Sequence, residues 1–381
     1  MTKLRWNPYV LIKGEKTIDF WKNHFSNQDR KLLFILGKGF DVRMNIAITQ
    51  IIKYCAKINM DCMLINFEES KSSYSHNYKS LVEENMTQLT RILSNKNIIN
   101  KNIGLWKISG RKRRRIGDRQ AALVIKSPEE IATYSDIIID ISALPRGVYF
   151  SLIGKVLSLI DKNETNIKPN LLVIIAENAE IDNNIIDDGV DTDLNYLYGF
   201  GGQIDLSSEI EKPIIWFPIL GEDKVPHLSR AYSKITETKK RLFEICPTLP
   251  FPSKNPRRSD ALIIEYHKLL FDEFGVEAQN IMYVPEQNPF EAYIKLSDAI
   301  KNYNKSLRVI TGCRASISTF SSKLLSIGAL LTAYDLKDEI GVGILNVDAE
   351  GYRINNIEVL KKLNEKSELF VTWLTGEPYS K

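Results

Sequence analysis

Short apolar runs separated by amphipathic segments constrain the fold of this chain more than any other feature. Four runs of strand length lie in its first half, at residues 32–37 (LLFILG), 62–67 (CMLINF), 136–141 (DIIIDI) and 171–176 (LLVIIA). Strands that are apolar on both faces are typical of parallel sheets covered by helices. Because helical patterns lie between the runs, we predict right-handed βαβ units in a doubly wound, mainly parallel Rossmann-like α/β sheet.

The same pattern predicts which strands are neighbours. In doubly wound sheets the carboxyl ends of the parallel strands gather on one side and border the ligand crevice. We therefore expect the strands at 32–37 and 136–141 to be adjacent and parallel. The loops that follow these two strands should then share one crevice.

Chain length and shifts in composition indicate more than one domain. The 381 residues exceed one ordinary core at about 150 residues per domain. A proline-rich segment at 245–258 cannot be a helix or a central strand, and residues 213–217 (PIIWF) are typical of an edge strand. The predicted organisation is an N-terminal extension (1–30), a Rossmann-like domain (31–245), a connector (246–259) and a second, smaller α/β unit (260–381).

Composition excludes several classes of protein. No apolar run is long enough to span a membrane, and the first residues lack a signal-peptide pattern, so a cytoplasmic location is expected. The four cysteines form no CxxC pair and the four histidines show no metal-ligand spacing, so we expect buried free thiols and no metal site. A net charge of +4 does not by itself imply nucleic acid. The sequence leaves the cofactor unknown.

The first candidate loop reads GKGFDVR and follows the first apolar run. Gly37 and Gly39 let the backbone turn tightly and approach a ligand, and amides at the start of a helix attract phosphate or carboxylate. Lys38 and Arg43 add positive charge. The loop matches neither GxGxxG nor GxxxxGK[ST], and the alternative is a tight turn in which Asp41 caps the next helix.

The second candidate loop reads DISALPR and leaves the third apolar run. Asp140 lies at the carboxyl end of a buried strand, where a lone carboxylate is costly, so we expect Arg146 or Ser142 to be its partner. Loops in this position form the crevice of open α/β sheets. These three residues therefore predict a polar site, unless Asp140 only holds its own loop by hydrogen bonds.

The third candidate loop joins a predicted strand at 307–311 to a predicted helix at 319–334. Hydroxyls, amides and a lysine at a helix N-terminus suit an anion, although serine is equally a helix cap. The candidate ligand-binding residues here are Gly312, Arg314, Ser321, Ser322 and Lys323. This strand–loop–helix resembles that of the CRISPR-associated Rossmann sensor domains over about thirty residues, without a diagnostic motif. The resemblance implies a cyclic nucleotide as ligand and a place in bacterial antiviral defence.

A basic run offers a different chemistry. It consists of Arg111, Lys112, Arg113, Arg114 and Arg115. Such a run can neutralise a phosphate backbone, or it can be a solvated loop. No aromatic residues interleave with it in the sequence, so the solvated loop is the favoured interpretation.

These observations give one expected function and two alternatives. We expect a Rossmann-like protein that binds or senses a nucleotide or another small phosphorylated ligand, with protein partners or self-association and no membrane. The first alternative is a nucleotide-processing hydrolase or transferase whose catalytic residue is Asp41 or Asp140, because no histidine lies on the three loops and no G-x-S-x-G elbow is present. The second is an interaction subunit that contacts nucleic acid through the basic run.

Overall fold

The computed structural model describes residues 4–26, 29–68, 74–109, 112–163, 168–204, 212–237 and 242–380. Strands and helices alternate along these ranges. The strands are β1 (Val10–Lys13), β2 (Lys31–Lys38), β3 (Asn59–Glu68), β4 (Asn97–Gly104), β5 (Trp106–Ser109), β6 (Lys112–Arg115), β7 (Asp136–Asp140), β8 (Asn170–Glu177), β9 (Ile185–Asp188), β10 (Asn195–Gly201), β11 (Ile214–Ile219), β12 (Leu242–Ile245), β13 (Thr248–Pro250), β14 (Met282–Val284), β15 (Arg314–Thr319), β16 (Val342–Asn346), β17 (Gly351–Ile354) and β18 (Glu368–Thr375).

The helices separate most of these strands. They are α1 (Lys16–His24), α2 (Ile46–Tyr54), α3 (Lys79–Ile92), α4 (Gly117–Ala122), α5 (Arg146–Lys162), α6 (Ala179–Asn184), α7 (Val225–Glu237), α8 (Arg258–His267), α9 (Pro289–Ser306), α10 (Lys323–Leu336) and α11 (Ile357–Leu363). Within the described ranges, no helix has the length and apolar character that crossing a membrane requires.

The chain divides into two compact units. The large unit comprises Pro8–Gly189 and Ala349–Lys381, and the small unit comprises Met1–Asn7 and Val190–Asp348. This division differs from the predicted boundaries at 30, 245 and 259. The predicted connector lies inside the small unit and contains β13, because its prolines fall at the ends of a three-residue strand rather than within a longer one.

The sheet of the large unit has the order β1-β18-β8-β7-β2-β3-β4. The five strands from β8 to β4 are parallel, and β18 is antiparallel to both β8 and β1. Numbered along the chain, the parallel strands run 3-2-1-4-5, which is the Rossmann order 3-2-1-4-5-6 without its sixth strand. β2 and β7 are adjacent and parallel, with Leu36 opposite Asp140, which confirms the predicted neighbours.

Apolar residues on both faces hold these strands in the interior. All five residues of β7 are buried, and so are Leu32–Leu36 within β2. On one face, Leu32, Phe34 and Leu36 join a cluster that includes Ile48 of α2 and Trp21 of α1. Helices on the sheet therefore bury the strands as the apolar runs predict.

The small unit repeats the same strand order. Its sheet runs β10-β16-β15-β11-β13-β14, with β12 also paired to β11, and β10 alone is antiparallel among these described strands. Read from β14 to β16, the parallel strands again follow 3-2-1-4-5. The predicted α/β architecture is thus confirmed in both units.

The predicted edge strand at 213–217 is wrong, because β11 lies in the centre of the small sheet. Pro213 precedes the strand and removes no hydrogen bond from it. Pro218 lies within it, where the pairing on one side changes from Ile245 of β12, opposite Trp216, to Thr248 of β13, opposite Ile219. A central strand therefore accepts this proline at a break in one of its two ladders.

A buried polar network closes the amino end of β7. The Asp136 carboxylate is fully buried, and its Oδ1 lies 2.7 Å from Nε2 of His24 and accepts from Nδ2 of Asn170 at 2.9 Å. Its Oδ2 accepts from Oγ of Ser135 at 2.7 Å and from Nη1 of Arg30 at 3.3 Å. Burial opposes ionisation of this carboxyl, but the hydrogen bonds from His24 and Ser135 outweigh it and hold the pKa of Asp136 below its ordinary value.

This network predicts a pH-dependent penalty for Asp136→Asn. A depressed pKa means that the carboxylate stabilises the fold above the pKa of the unfolded chain, about 3.9, and that this stabilisation is lost as the pH falls through the folded value. We expect the substitution to lower the free energy of unfolding by about 1–3 kcal/mol at pH 7 and by less at pH 3.5. Urea unfolding at the two pH values measures the difference. Asp19→Asn, on the exposed face of α1, is the control, and an equal penalty for Asp136→Asn at both pH values would contradict the prediction.

Candidate functional site

The large sheet has a topological switch point between the carboxyl ends of β2 and β7. The chain continues from β2 to β3 on one side and later adds β7 on the other side. Crevices at such points are where open α/β sheets bind ligands. The first and second predicted loops follow these two strands, so the structure brings them together as expected.

Two glycines set how closely these loops approach. A Cβ built on Gly37 would lie 2.5 Å from Cδ2 of Leu144, whereas one built on Gly39 would lie 3.5 Å from the carbonyl oxygen of Ala143. Gly37 is therefore a packing residue that allows the loop after β7 to lie against β2. Gly39 has room for an ordinary contact and lies nearer to the tip of the loop.

Lys38 is the cation that the switch point presents. It is the last residue of β2, is half-buried, and lies opposite Asn66 of β3. Asn66 in turn donates from Nδ2 to Oδ1 of Asn102 on β4 at 2.8 Å. Within the ranges that the structure describes, Lys38 has no ion pair or hydrogen bond from its ammonium group.

Arg43 has the opposite role. Its side chain is buried, with Nε donating to Oδ1 of Asp41 at 3.0 Å and Nη2 donating to Oδ2 at 2.8 Å. Nη2 also lies 2.9 Å from Oδ1 of Asp182 on α6, and Nη1 donates to the carbonyl of Ala176 at 3.4 Å. Arg43 thus ties the loop after β2 to the segment after β8, and its guanidinium is occupied within the large unit.

Asp41 caps the turn that follows it, as the alternative interpretation of the first loop predicted. Its Oδ1 accepts from the backbone N–H of Arg43 at 3.0 Å, at the start of the 3-10 turn Val42–Asn45. The amide of Asn85 adds a second tie, donating from Nδ2 to the carbonyls of Gly39 at 3.0 Å and Asp41 at 3.1 Å. Both carboxylate oxygens of Asp41 therefore serve the conformation of the loop.

The second loop combines buried and accessible groups. Asp140 is buried and its Oδ1 accepts from the backbone N–H of Ser142 at 2.9 Å, while Oγ of Ser142 accepts from the N–H of Ala176 at 2.9 Å. Ser142 is thus one partner of Asp140, through its backbone. Arg146 is half-buried and begins the 17-residue helix α5, whose N-cap Pro145 makes no side-chain cap. Pro145 therefore supplies none of the side-chain acceptors that usually cover the first amides of a helix.

The strand predicted at 307–311, before the third loop, is wrong. Residues 307–310 form a 3-10 turn after α9, and the strand is β15, which begins at Arg314. The turn ends because Thr311 and Gly312 adopt φ values of 77° and 80°, and the N–H of Gly312 donates to the carbonyl of Leu307 at 2.9 Å. This left-handed pair is a helix C-cap and not the exit of a strand.

The residues of the third loop are consequently separated by a strand. Gly312 and Arg314 lie at the amino end of β15, and Ser321, Ser322 and Lys323 follow its carboxyl end. Ser322 caps α10, accepting from the N–H of Leu325 at 3.3 Å. The structure therefore gives no support to the resemblance to the CRISPR-associated sensor domains, which depended on a strand at 307–311.

The small unit has its own switch point, between β11 and β15, but its charge is different. A Cβ built on Gly221 would lie 2.4 Å from the carbonyl oxygen of Phe320, so the two loops are in close contact. Arg258 donates from Nε and Nη2 to the carboxylate of Glu222 at 2.6 Å each, and from Nη1 to Glu286. Two carboxylates thus neutralise this arginine within the small unit.

Two residues of the large unit were missed from the sequence. Phe67 lies beside the first loop, with Cζ 3.7 Å from the position of a Cβ on Gly39. Glu68 is exposed at the carboxyl end of β3, the second strand of the 3-2-1-4-5 order. In Rossmann folds an acidic residue in that position binds ribose hydroxyls. The signal available in the sequence was an acidic residue directly after the second apolar run.

The described residues offer little chemistry of other kinds. No group of three or more His, Cys, Asp or Glu side chains within them could hold a metal ion. Burial raises the pKa of the Cys62 thiol to about 12, and it raises that of the Cys246 thiol, which donates a hydrogen bond to Oη of Tyr303, to about 12 as well. These thiols are therefore protonated and unreactive at neutral pH.

Comparisons with known proteins add no identity. No protein-family model matches the chain, and none of the curated proteins matches it significantly. Among solved structures, the chain is similar to a protein assigned as a universal stress protein from Pseudomonas aeruginosa, at 11% identity and a TM-score of 0.25, over 88% of this chain and 97% of that one. A universal stress protein from Archaeoglobus fulgidus matches at 10% identity and a TM-score of 0.23, over 84% of this chain and 97% of that one.

A third solved structure, UDP-GlcNAc 2-epimerase from Neisseria meningitidis bound to UDP-GlcNAc, matches at 8% identity and a TM-score of 0.21, over 88% of this chain and 100% of that one. TM-scores this low carry no argument about ligand or activity. The assignment of a Rossmann-like fold therefore rests on the strand order of the two sheets.

Proposed function

We propose that the protein binds a nucleotide at the switch point between β2 and β7. The observation that carries this proposal is Lys38, a cation at the carboxyl end of β2 whose ammonium group has no partner among the described residues. A half-buried cation beside a glycine-containing loop favours a phosphate as its counter-ion. The apolar strand beneath it supplies a rigid support.

Different residues around Lys38 suit the phosphate and the ribose of a nucleotide. Lys38, the backbone of Gly39 and the N-terminus of α5, where Arg146 lies, form the phosphate side of the proposed site. Glu68, at the end of β3, is placed to accept hydrogen bonds from ribose hydroxyls. A ligand with both a phosphate and a ribose fits these groups better than inorganic phosphate does.

Charge separates this site from the corresponding position in the small unit. There, the cation Arg258 is held by Glu222 and Glu286, and Asp223 adds a further negative charge to the same loop. A phosphate at that position would meet carboxylates. We therefore assign the anion to the large unit.

Binding or sensing is supported better than catalysis. Asp41, one proposed catalytic residue, has both oxygens engaged by Arg43, and Asp140, the other, is buried and holds the backbone of Ser142. A general base must be within reach of its substrate proton, and Asp41, whose two oxygens are held by Arg43, is poorly suited to that role. A cytoplasmic location, self-association and a role in a defence assembly stay part of the proposal. Native mass spectrometry of protein purified from its host would identify a co-purifying ligand or partner.

Substitution of Lys38 by glutamine is the direct test. Loss of a charged hydrogen bond of about 1.5–3 kcal/mol should weaken binding of a nucleoside triphosphate or diphosphate by about tenfold or more, measured by isothermal titration calorimetry. Arg146→Ala should weaken binding as well, and the melting temperature should change little for Lys38→Gln, whose ammonium group has no ion pair or hydrogen bond among the described residues. Lys162→Gln, at the other end of α5, is the matched control.

A second comparison distinguishes a nucleotide from a simple anion. Glu68→Gln should weaken binding of the nucleotide and leave binding of inorganic phosphate unchanged. Nucleotide binding that is equal in the wild type and the Lys38→Gln variant would contradict the proposed site. A steep drop in melting temperature for Arg146→Ala at unchanged affinity would make that residue structural.

A further inference from the structure

A row of polar side chains crosses the carboxyl ends of three neighbouring strands of the large sheet. Lys38 of β2 lies opposite Asn66 of β3, and Asn66 lies opposite Asn102 of β4. Residues opposite one another in parallel strands point to the same face, and neighbouring strands are about 4.8 Å apart. The three side chains therefore form a continuous line beside the proposed nucleotide site.

A hydrogen bond and a charge orient the two amides of this row. Nδ2 of Asn66 donates to Oδ1 of Asn102 at 2.8 Å. Oδ1 of Asn66 is therefore turned away from β4, to the side on which Lys38 lies, and it has no donor within the described ranges. A neighbouring ammonium group favours the oxygen of an amide over its NH2 group, because the oxygen is an acceptor. Lys38 thus stabilises the orientation in which Asn66 donates to Asn102.

This orientation leaves Asn102 as a donor. Its carbonyl oxygen faces Asn66, whereas its Nδ2 has no hydrogen-bond acceptor in the part of the chain that the structure describes, and the side chain is exposed. A free asparagine amide serves both donors and acceptors, because it can present either group. Here a flip of the amide would break the bond to Asn66. The exposed end of the row therefore offers N–H groups to a ligand.

The face of β4 beyond Asn102 is open. Gly104 of β4 lies opposite Glu68 of β3, so no side chain of β4 stands beside that carboxylate. Gly104 is on the same face as Asn102, because the two are separated by one residue along the strand. A Cβ built on Gly104 would have only the carbonyl oxygen of Trp106 near it among the described residues, at 3.8 Å. The space of a side chain is therefore free next to Glu68.

The basic run lies in the hairpin that follows β4. β5 and β6 pair antiparallel, with Trp106 opposite Arg115, so the run predicted as a solvated loop is a strand. Arg111 lies outside the described residues, and nothing is described of the side chain of Lys112. The guanidinium carbons of Arg113 and Arg115 lie 3.5 Å and 4.6 Å from the centroid of the Trp106 ring. These two arginines therefore pack against the indole within the hairpin.

We propose that the site selects a 6-oxopurine base, and so binds a guanine nucleotide more tightly than an adenine nucleotide. This inference rests on the proposed function, which assigns the phosphate to Lys38 and the ribose to Glu68. In the same direction across the sheet, the base reaches the end of β4 and Nδ2 of Asn102. Guanine presents two acceptors on one edge, O6 and N7, whereas adenine presents N7 and the N6 amine, which is a donor. The N–H groups of Asn102 pair with guanine O6 and oppose adenine N6.

Isothermal titration calorimetry with GDP, IDP and ADP tests this selection. IDP has the O6 and N7 of guanine without the 2-amino group, so it isolates the edge that Asn102 contacts. We expect the wild type to bind GDP and IDP equally and ADP about tenfold more weakly. Asn102→Asp replaces the donor with an acceptor that Asn66 can still bond, so the preference should reverse in favour of ADP. Asn66→Leu leaves the amide of Asn102 free to flip, so the preference should disappear.

Asn100→Asp is the matched control for Asn102→Asp. Asn100 is exposed and lies on the same face of β4, one residue pair nearer its amino end. The substitution adds the same charge to the same strand, so the ratio of the GDP and ADP affinities should stay that of the wild type. Ratios are compared because a loss of folded protein affects both ligands equally.

Different results would contradict the base selection and the nucleotide site. Equal affinity of the wild type for GDP and ADP, with both weakened by Lys38→Gln, would overturn the base selection and retain the site. A preference for GDP that IDP does not share, that Asn102→Asp leaves unchanged, or that Asn100→Asp alters equally would also overturn it. Absence of binding by all three nucleotides, or binding that Lys38→Gln does not affect, would contradict the proposed function and the base selection with it.

Discussion

Arg43→Met is expected to lower the free energy of unfolding by about 3–5 kcal/mol, because removal of one partner leaves a buried carboxylate without its counter-charge. Asp41 is buried and receives three hydrogen bonds from the Arg43 guanidinium. The substitution also disconnects the loop after β2 from Asp182 and from the carbonyl of Ala176. Urea unfolding followed by far-UV circular dichroism measures the change.

Lys38→Met is the matched control for this substitution, because it removes a cation from the same loop. We expect it to change stability by about 0.5 kcal/mol or less, since its ammonium group has no ion pair or hydrogen bond with the described residues. A small penalty for Arg43→Met, or an equal one for both variants, would contradict the structural role of Arg43. The pair therefore separates the cation that holds the fold from the cation proposed to bind ligand.

Trp6→Ala is expected to destabilise the small unit by about 3–5 kcal/mol, the cost of deleting a large buried aromatic side chain. Trp6 is completely buried. Its ring packs edge-on against Tyr293 of α9 at 5.4 Å between centroids and lies 6.4 Å from Tyr334 of α10. The N-terminal segment therefore completes the core of a unit whose other residues begin at Val190.

Trp106→Ala is the control for Trp6→Ala, because it also replaces a tryptophan by alanine. Trp106 is half-buried in the β5–β6 hairpin, so its removal should cost clearly less than removal of Trp6. Thermal unfolding is monitored by circular dichroism and not by tryptophan fluorescence, because each variant has lost a tryptophan. Equal melting temperatures for Trp6→Ala and the wild type would contradict the inclusion of the N-terminal segment in the core.

Parallel strands that are apolar on both faces could be predicted, and polar ones could not. β2, β3, β7 and β8 stand out in the sequence because helices cover both of their faces. β15 (RASIST) is also central, but it contains two polar residues, Ser316 and Ser318. Both are buried, and they accept hydrogen bonds from Tyr196 and Trp216 respectively, at 3.1 Å each. Such partners are distant in the chain. The sequence instead predicted a strand at the apolar residues 307–311, where Val309 is 95% exposed in the structure.

The same limit applies to the candidate site. Lys38 and Arg43 are equivalent in the sequence, as cations on one glycine-containing loop. Arg43 is neutralised both by Asp41, two residues away, and by Asp182, which α6 brings to it after more than one hundred intervening residues. Local patterns therefore located the switch point but could not show which of its charges are neutralised.

The route of the chain determines the order in which the large sheet can form during synthesis. The chain leaves this unit after Gly189 and returns at Ala349, and β18 then lies between β1 and β8, with Trp373 opposite Val10. At a rate of synthesis of about 5–20 residues per second, roughly 20–70 s pass between the synthesis of β1 and that of β18, the strand that pairs with it. Until then β8 also presents an open edge, and open edges promote aggregation. Pairing of β18 covers both edges in one step, so solubility of the nascent chain depends on the last strand of this sheet to be made.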